Sequence, residues 1–254
     1  MINILMNFIL QMPNAKPFLY TSMSPALLHL YNASQATVVI IDVLRATSTI
    51  ATALFNGARY IIPVDSVAKC IELGRQINCV TAGERDGKIA EGLSYGNSPF
   101  EYSRPFIGGK ILVLTTTNGT RLLHMALEKG AREIVTGSFV NLDVVAEYLL
   151  QQKNNVILAC AAWKDRINIE DTLFAGAVIE KIRDHFNIEC DASHIAANLY
   201  HKASGDLIDF MQRNNASHFN RLMAYGLEKD IRYCLEPNLA NVLPIYEAGK
   251  LKIY

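Results

Sequence analysis

Carboxylates, guanidinium groups and hydroxyls gather at four places along the chain, in a combination suited to phosphoryl transfer. Acidic side chains can hold a hard cation such as Mg²⁺, while arginines, hydroxyls and backbone amides neutralise a tetrahedral oxyanion. Each place follows a short apolar run. The four stretches are Asp42-Val43-Leu44-Arg45-Ala46-Thr47, Gly83-Glu84-Arg85, Thr115-Thr116-Thr117-Asn118-Gly119-Thr120-Arg121, and Trp163-Lys164-Asp165-Arg166 with Glu170-Asp171-Thr172.

The stretch from Thr115 to Arg121 is the most informative of the four. A hydroxyl-rich turn with a glycine leads into a helix, and it offers amides, hydroxyls and a positive helix end to a phosphate. It lacks the Gly-Lys-Ser/Thr ending of a Walker A loop, which argues against nucleotide binding. The structural alternative is that Thr117 or Asn118 simply caps the helix.

The carboxylates also have structural alternatives. Asp42 follows a fully apolar strand, so its carboxylate is desolvated unless Arg45 or a metal ion meets it. It could equally cap the next helix with Arg45 as its partner. Glu170 and Asp171 stand at a predicted helix start, where acidic residues are favourable for dipole reasons alone.

The elements that position these residues alternate between short apolar runs and helical periodicity. This rhythm predicts a three-layer α/β/α fold with a largely parallel, mixed sheet and a helical C-terminal region. Predicted strands are 37–41, 60–64, 77–81, 111–115, 133–136 and 156–160, and predicted helices are 25–31, 46–55, one from Ser66, 120–128, 142–150 and 172–183. Residues 194–234 read as helical, and 241–245 with 251–254 as an antiparallel hairpin.

Two segments fall outside the rhythm, although residues 1–254 are expected to form a single domain. Residues 83–105 are polar and glycine-rich, and a loop of this length is usually functional, so we predict an active-site lid. Residues 1–36 are predicted to be peripheral. The first ten residues lack the basic start of a leader peptide, and they form either a peripheral strand or an extension upstream of a true start at Met12.

The overall charge excludes some partners. Lys and Arg number 24, as do Asp and Glu, so no basic excess suggests nucleic acid or an anionic membrane as a partner. Five widely spaced cysteines without a C-x-x-C pair argue against disulfides and zinc and favour a cytoplasmic location. The histidines fall in no ligand spacing and are interpreted as surface or packing residues; they include His124, His194, His201 and His218.

Five motifs in order resemble the 2-phosphosulfolactate phosphatase family. They are VVIIDVLRAT (38–47), GER with EGLSYGNSPFEY (83–102), LTTTNGTR (114–121), EDTLFAG (170–176) and GLEKDIRYC (226–234). The resemblance implies a phosphatase that hydrolyses 2-phospho-3-sulfolactate to 3-sulfolactate, a step in coenzyme M biosynthesis, with Mg²⁺ as cofactor. That small anionic substrate carries a phosphate, a carboxylate and a sulfonate, which suits several guanidinium groups in one pocket.

Roles follow from the resemblance together with the residue types. The expected catalytic residues are Asp42, Arg45, Glu84 and Asp171, with Mg²⁺ held by Asp42 and by Glu84 or Glu170 and Asp171. The expected substrate-binding residues are Thr47, Arg85, Asn97, Thr116, Thr117, Asn118, Gly119, Thr120 and Arg121. A metal-activated water is the favoured nucleophile. Asp42 as a covalent nucleophile is the rival mechanism, and it ranks second because the D-x-D-x-T/V pattern of aspartyl-phosphate phosphatases is missing.

Several alternatives stay open. Relatives commonly carry a small, glycine-rich turn where this chain has Cys160-Ala161-Ala162-Trp163, so Trp163 either reshapes the pocket or covers its rim. A relative could act on another phosphorylated hydroxy acid, or bind without catalysis. A homodimer is expected because it is the commonest assembly of soluble oligomeric enzymes.

Overall fold

A ten-stranded mixed sheet carries helices on both faces in residues 16–85, 87–203 and 205–254, which the computed structural model describes. The α/β prediction is therefore confirmed. The strands are β1 Leu19–Ser22, β2 Ala36–Ile41, β3 Tyr60–Pro63, β4 Val80–Arg85, β5 Lys88–Ile89, β6 Ile111–Thr115, β7 Glu133–Gly137, β8 Asn155–Cys160, β9 Pro244–Glu247 and β10 Lys250–Ile253. The α-helices are α1 Ala46–Phe55, α2 Val67–Gln76, α3 Arg104–Ile107, α4 Gly119–Glu128, α5 Leu142–Gln151, α6 Ile169–Ile182, α7 Asp191–Ala203, α8 Leu207–Arg213, α9 Ser217–Ala224 and α10 Glu228–Leu235.

The alternation of side chains along β2 explains the three layers. Val39 and Ile41 pack into an apolar cluster with α5, α6 and the C-terminal helices. Val38 and Ile40 point the other way, into a second cluster with α1 and α4. Because both faces of the strand are covered, its sequence is apolar at nearly every position rather than alternating.

Local sequence signals set several helix ends. The Ser66 hydroxyl caps α2 by accepting a hydrogen bond from the Lys69 amide at 3.3 Å. α1 ends before Gly57, whose φ of +95° an L side chain rarely adopts. The predicted short helix after Ser24 is a 3₁₀ helix, Pro25–Leu30.

The sheet order is β1-β8-β2-β7-β9-β10-β3-β6-β4-β5, with the C-terminal hairpin in its centre. The hairpin joins its neighbours antiparallel, so β3, β4 and β6 run opposite to β2, β7 and β8. The site-bearing strand ends therefore do not share one edge of a uniformly parallel sheet, as the sequence had suggested. Neighbouring strands twist by about 20–25°, so the five steps from β2 to β6 rotate the strand direction by about 100° or more. This rotation accounts for the meeting of the end of β6 with the end of β2.

The segment 83–105 is more ordered than predicted. β4 extends to Arg85, β5 pairs with it as a short antiparallel ribbon, and a 3₁₀ turn, Pro99–Glu101, precedes α3. The predicted strand 77–81 starts late because α2 runs to Gln76. The role of the segment as a lid stays a prediction.

The remaining differences are small. α6 begins at Ile169, three residues before the predicted start, and the region 194–234 consists of four helices separated by turns. In the N-terminal segment, β1 pairs in parallel with β8 at the sheet edge. The expectations for residues 1–10 lie outside the described residues. Within the described residues, no helix has the length and apolar character needed to span a bilayer.

Candidate active site

A cleft at the ends of β2, β4 and β6 brings together residues that are far apart in the sequence. Its empty volume is about 510 Å³, open solvent at the mouth included. Six predicted site residues line it, namely Asp42, Arg45, Glu84, Asn97, Thr117 and Asn118. The other lining residues are Leu44, Gly87, Trp163, His218, Arg221 and Leu222.

Asp42 lies at the bottom of this cleft, with only 7% of its surface exposed. Burial raises the pKa of its carboxyl to about 6, against the opposing effect of nearby His218, and the charge of Glu84 raises it further. The nearby Gly119 amide lowers this pKa. A Cβ at position 119 would lie 2.8 Å from Asp42 Oδ2, so only glycine permits this close approach. Gly119, predicted to bind substrate, thus holds Asp42.

Asp42 does not pair with Arg45, so that structural alternative is wrong. The Arg45 guanidinium instead forms a buried ion pair with Asp230 of α10, 185 residues away in the chain. The second oxygen of Asp230 accepts a hydrogen bond from the Ser98 hydroxyl at 3.0 Å. Arg45 therefore reaches the cleft with its charge already compensated, and the pair fastens α10 to the turn after β2.

Glu170 and His218 form a second buried pair beside Asp42. Glu170 is fully buried, and its Oε1 contacts Nδ1 of His218 on α9. Its Oε2 has no hydrogen-bond partner among the residues that the structure describes. The interpretation of His218 as a surface residue is wrong, since the side chain is buried; it packs against Glu170 and also lines the cleft. No local motif marks His218, because its partner lies 48 residues away.

Asp171 sits behind the cleft and does not line it. Its two carboxylate oxygens accept hydrogen bonds from the amides of Val43, at 2.9 Å, and Ala162, at 3.2 Å. Burial, with the charges of Glu170 and Asp42, raises the pKa of the Asp171 carboxyl well above its usual value. Its contacts assign it to fixing the turns after β2 and β8 rather than to meeting a ligand directly.

Glu84 is held at the cleft by the turn after β6. Its Oε1 accepts hydrogen bonds from the Thr117 amide, at 3.2 Å, and hydroxyl, at 2.9 Å. Its Oε2 accepts one from the Gly87 amide at 3.0 Å. Thr117, expected to hold phosphate oxygens, is thus occupied by a carboxylate of the protein.

Three further predicted threonines are also engaged in local structure and do not line the cleft. The Thr116 hydroxyl accepts from the Thr120 amide at 3.3 Å, and the Thr120 hydroxyl accepts from the Thr116 amide at 3.2 Å. The Thr47 hydroxyl accepts from the Asp42 amide at 3.1 Å. Asn118 immediately precedes α4 and its side chain makes no capping hydrogen bond with the described residues. The Thr116 hydroxyl supplies the cap that was assigned to Thr117 or Asn118.

Arg85 and Arg121 line a neighbouring cleft rather than the one containing Asp42. Arg85 donates to the Glu84 carbonyl oxygen and to the Thr115 hydroxyl. Arg121 forms an exposed, two-pronged ion pair with Asp165, with distances of 2.8 and 3.3 Å. The two clefts share Thr117, which borders both.

Trp163 and Arg221 form one side of the main cleft. The guanidinium carbon of Arg221 lies 3.9 Å from the centre of the Trp163 ring. The loop carrying Trp163 is unusual, since Ala162, Lys164 and Asp165 all have positive φ without being glycine. Trp163 thus lines the cleft and supports a cation, which a small glycine-rich turn could not do.

The site fits Mg²⁺ through its acidic side chains, although no three His, Cys, Asp or Glu side chains in the described residues are placed to hold a metal together. Mg²⁺ needs only one or two carboxylates, with waters and substrate oxygens completing its shell. Asp42 and Glu84 face the cleft, and Glu170 behind them has an unpartnered oxygen. Burial raises the pKa of Asp42, and the charges of Glu84 and Glu170 raise it further, so a cation among these carboxylates would be favourable.

Comparison with known proteins identifies similar chains. Residues 22–249 match a family described as 2-phosphosulpholactate phosphatase. A Thermotoga maritima protein is 38% identical over 213 residues, which cover 84% of this chain and 90% of that one. A Caldanaerobacter subterraneus subsp. tengcongensis protein is 37% identical over 216 residues, 84% of this chain and 88% of its own. A Clostridium acetobutylicum protein is 34% identical over 218 residues, which cover 85% of this chain and 91% of that one. Each of the three is named "Probable 2-phosphosulfolactate phosphatase".

Proposed function

Because the chain belongs to the 2-phosphosulfolactate phosphatase family, a family of phosphoric monoester hydrolases, we propose that it hydrolyses 2-phospho-3-sulfolactate to 3-sulfolactate and phosphate in a Mg²⁺-dependent reaction. The observation that carries the finer proposal is the meeting of Asp42, Glu84, His218 and Arg221 in one cleft. A role in coenzyme M biosynthesis, a cytoplasmic location and a homodimer belong to the same proposal.

The carboxylates supply the negative half of the site. Bound Mg²⁺ would neutralise charge on the phosphoryl oxygens, and Asp42 and Glu84 are the residues that would hold it. Gly119 packs closely against the Asp42 carboxylate, and Thr117 with Gly87 fixes that of Glu84. Both groups therefore need little reorganisation when substrate arrives, which is the condition for effective electrostatic catalysis.

His218 is placed to move a proton. Its Nδ1 is held by Glu170, so its Nε2 is left for the cleft. An alkoxide of a hydroxy acid is a poor leaving group, and protonation of the bridging oxygen by His218 Nε2 would assist its departure. The buried glutamate orients the ring, as a carboxylate does in other histidine pairs.

The nucleophile is proposed to be water, with Asp42 as the rival. The close packing of Gly119 against Asp42 and the buried position of Asp42 favour a fixed, ligand-holding carboxylate over an attacking one. Borohydride quenching during turnover separates the two routes. An aspartyl phosphate would be reduced to homoserine at position 42, detectable in the peptide mass, and direct attack by water would leave Asp42 unchanged.

Phosphate release from a substrate panel tests the function itself. Rates on 2-phospho-3-sulfolactate, 2-phospholactate and 3-phosphoglycerate are measured with Mg²⁺ and with a chelator. The proposal expects the highest kcat/KM on 2-phospho-3-sulfolactate and no turnover without the metal. A higher kcat/KM on another phosphorylated hydroxy acid would move the assignment to that substrate. Full activity in the chelator would contradict the Mg²⁺ requirement.

A further inference from the structure

Arg221 lines the main cleft and, among the residues that the structure describes, has no carboxylate partner, unlike Arg45 and Arg121. Arg45 is paired with Asp230, and Arg121 with Asp165. Arg221 contacts the ring of Trp163 and forms no ion pair with any residue that the structure describes. A cation held at a cleft without a counter-ion is available to an anionic ligand.

The position of Arg221 is fixed by its surroundings. The contact with the Trp163 ring, whose centre lies 3.9 Å from the guanidinium carbon, restricts the movement of the guanidinium, which lowers the entropy lost when an anion binds. The Trp163 loop is in turn anchored at Asp165, whose carboxylate pairs with Arg121 and whose carbonyl oxygen accepts from the Ser24 hydroxyl at 2.9 Å. Arg121, expected to bind substrate, instead ties this loop to α4.

The charges that line the cleft indicate which kind of anion Arg221 would bind. Asp42 and Glu84 lie at the end that would hold the metal and the phosphoryl group. Arg221 belongs to α9 and lines the same cleft with Trp163, so the cation and the two carboxylates come from different elements. A substrate that meets both the carboxylate-held metal and Arg221 must carry, besides its phosphate, a second acidic group on a short carbon chain.

We propose that Arg221, stacked on Trp163, is the specificity-determining residue that binds the non-phosphate acid group of the substrate. This inference rests on the proposed function and deepens it, since it assigns the sulfonate of 2-phospho-3-sulfolactate to one side chain. A guanidinium forms two parallel hydrogen bonds with a sulfonate or carboxylate, which lysine cannot reproduce.

Binding of the product tests the assignment without any turnover. Calorimetric titration with 3-sulfolactate and, separately, with inorganic phosphate gives both dissociation constants for wild type, Arg221→Met and Arg221→Lys. Removal of the guanidinium should raise the dissociation constant of 3-sulfolactate roughly 10- to 100-fold and change that of phosphate by less than about 3-fold. Arg213→Met is the matched control, because it removes the same charge from an exposed helix position outside the cleft. Trp163 is the only tryptophan of the chain, so its fluorescence provides a second readout of occupancy.

Kinetics with two substrates separate specificity from structure. For Arg221→Met, kcat/KM on 2-phospho-3-sulfolactate should fall about 10- to 100-fold, mostly through KM, whereas that on glycerol 2-phosphate should change less than about 3-fold. Equal losses on both substrates, or unchanged 3-sulfolactate affinity, would overturn the inference. If either result is found while wild type still hydrolyses 2-phospho-3-sulfolactate, the role of Arg221 is wrong but the proposed function stands. A wild type that neither binds 3-sulfolactate nor hydrolyses its phosphate overturns both.

Discussion

The cleft is built from two regions of different origin. Its acidic floor, formed by Asp42 and Glu84 with Glu170 behind them, comes from a turn, the end of strand β4 and a helix start in the α/β part of the chain. Its helical wall, formed by His218 and Arg221 together with Asp230, which holds Arg45, comes from the C-terminal helices α9 and α10. The floor carries negative charge that is costly to bury, and the wall supplies most of the cations and counter-charges. The comparison teaches that neither region is an active site alone, because each compensates the charge of the other.

Loss of an acidic side chain from the floor should have the largest effect on activity. Asp42→Asn removes a proposed metal ligand while preserving shape, and we expect kcat/KM to fall by roughly 10⁴-fold or more. Asp65→Asn serves as control, since Asp65 is exposed and, within the described part of the chain, forms an ion pair with Lys69 alone, at 3.7 Å. Phosphate release from 2-phospho-3-sulfolactate measures both variants. Similar losses in the two would show that the charge of the protein as a whole, rather than the floor, matters.

The next-largest effect should be a loss of stability when the ion pair that joins the wall to the floor is broken. Asp230→Asn leaves the buried Arg45 without its counter-charge, and we expect the free energy of unfolding to fall by about 3–5 kcal/mol. Urea unfolding measures the change. The double variant Arg45→Met with Asp230→Leu should be less destabilised than Asp230→Asn, because no unpaired charge remains. A loss below about 1 kcal/mol in Asp230→Asn would mean that the two regions are not joined by this pair.

The wall also has a proposed chemical role, protonation of the leaving group by His218, which substrates with different leaving groups can test. His218→Asn should lower kcat on 2-phospho-3-sulfolactate by about 10²- to 10³-fold, because a poor alkoxide leaving group needs a proton. On p-nitrophenyl phosphate, whose phenolate leaves without help, the loss should stay below about 5-fold. Equal losses on both substrates would indicate that His218 acts on binding or folding and not on proton transfer.

The smallest expected effect concerns the stability of the metal-free floor. Because the pKa of Asp42 rises from 3.8 to about 6 on folding, the folded protein binds the proton more tightly, so ionisation of this group opposes folding. The destabilisation is absent below about pH 4, grows between pH 4 and 6, and is complete above pH 6, where two pKa units correspond to about 3 kcal/mol. Asp42→Asn should therefore be more stable than wild type by about 2–3 kcal/mol at pH 7.5 in a chelator, and by much less at pH 4.5. Urea unfolding at the two pH values checks this, and an equal difference at both would contradict it.

The floor could be predicted from the sequence, since its residues follow apolar strands in short, readable motifs. Asp42, Glu84 and Asn118 meet as expected. Their roles were harder to predict, because the amides and hydroxyls of the turn after β6 serve the protein's own carboxylates. Thr117 binds Glu84 and Gly119 packs against Asp42, and a motif does not show whether a donor is already used.

The wall could not be predicted from local pattern. His218 and Arg221 lie one helical turn apart on a short helix without a motif, and their partners are Glu170 and Trp163, about fifty residues earlier. Asp230 does fall in the motif GLEKDIRYC, yet its partner Arg45 is 185 residues away. The packing of α9 and α10 against the sheet decides these contacts. The sheet direction was missed for a similar reason, since the hairpin that reverses it comes last in the chain.

The most direct test follows binding and chemistry at once in Asp42→Asn. Stopped-flow mixing with 2-phospho-3-sulfolactate is monitored by Trp163 fluorescence for occupancy of the wall and by a phosphate sensor for turnover. The account predicts that the fluorescence change persists with an affinity close to that of wild type while phosphate release falls to background. Phosphate release at the wild-type rate from Asp42→Asn would contradict the assignment of the floor as the catalytic part of the cleft.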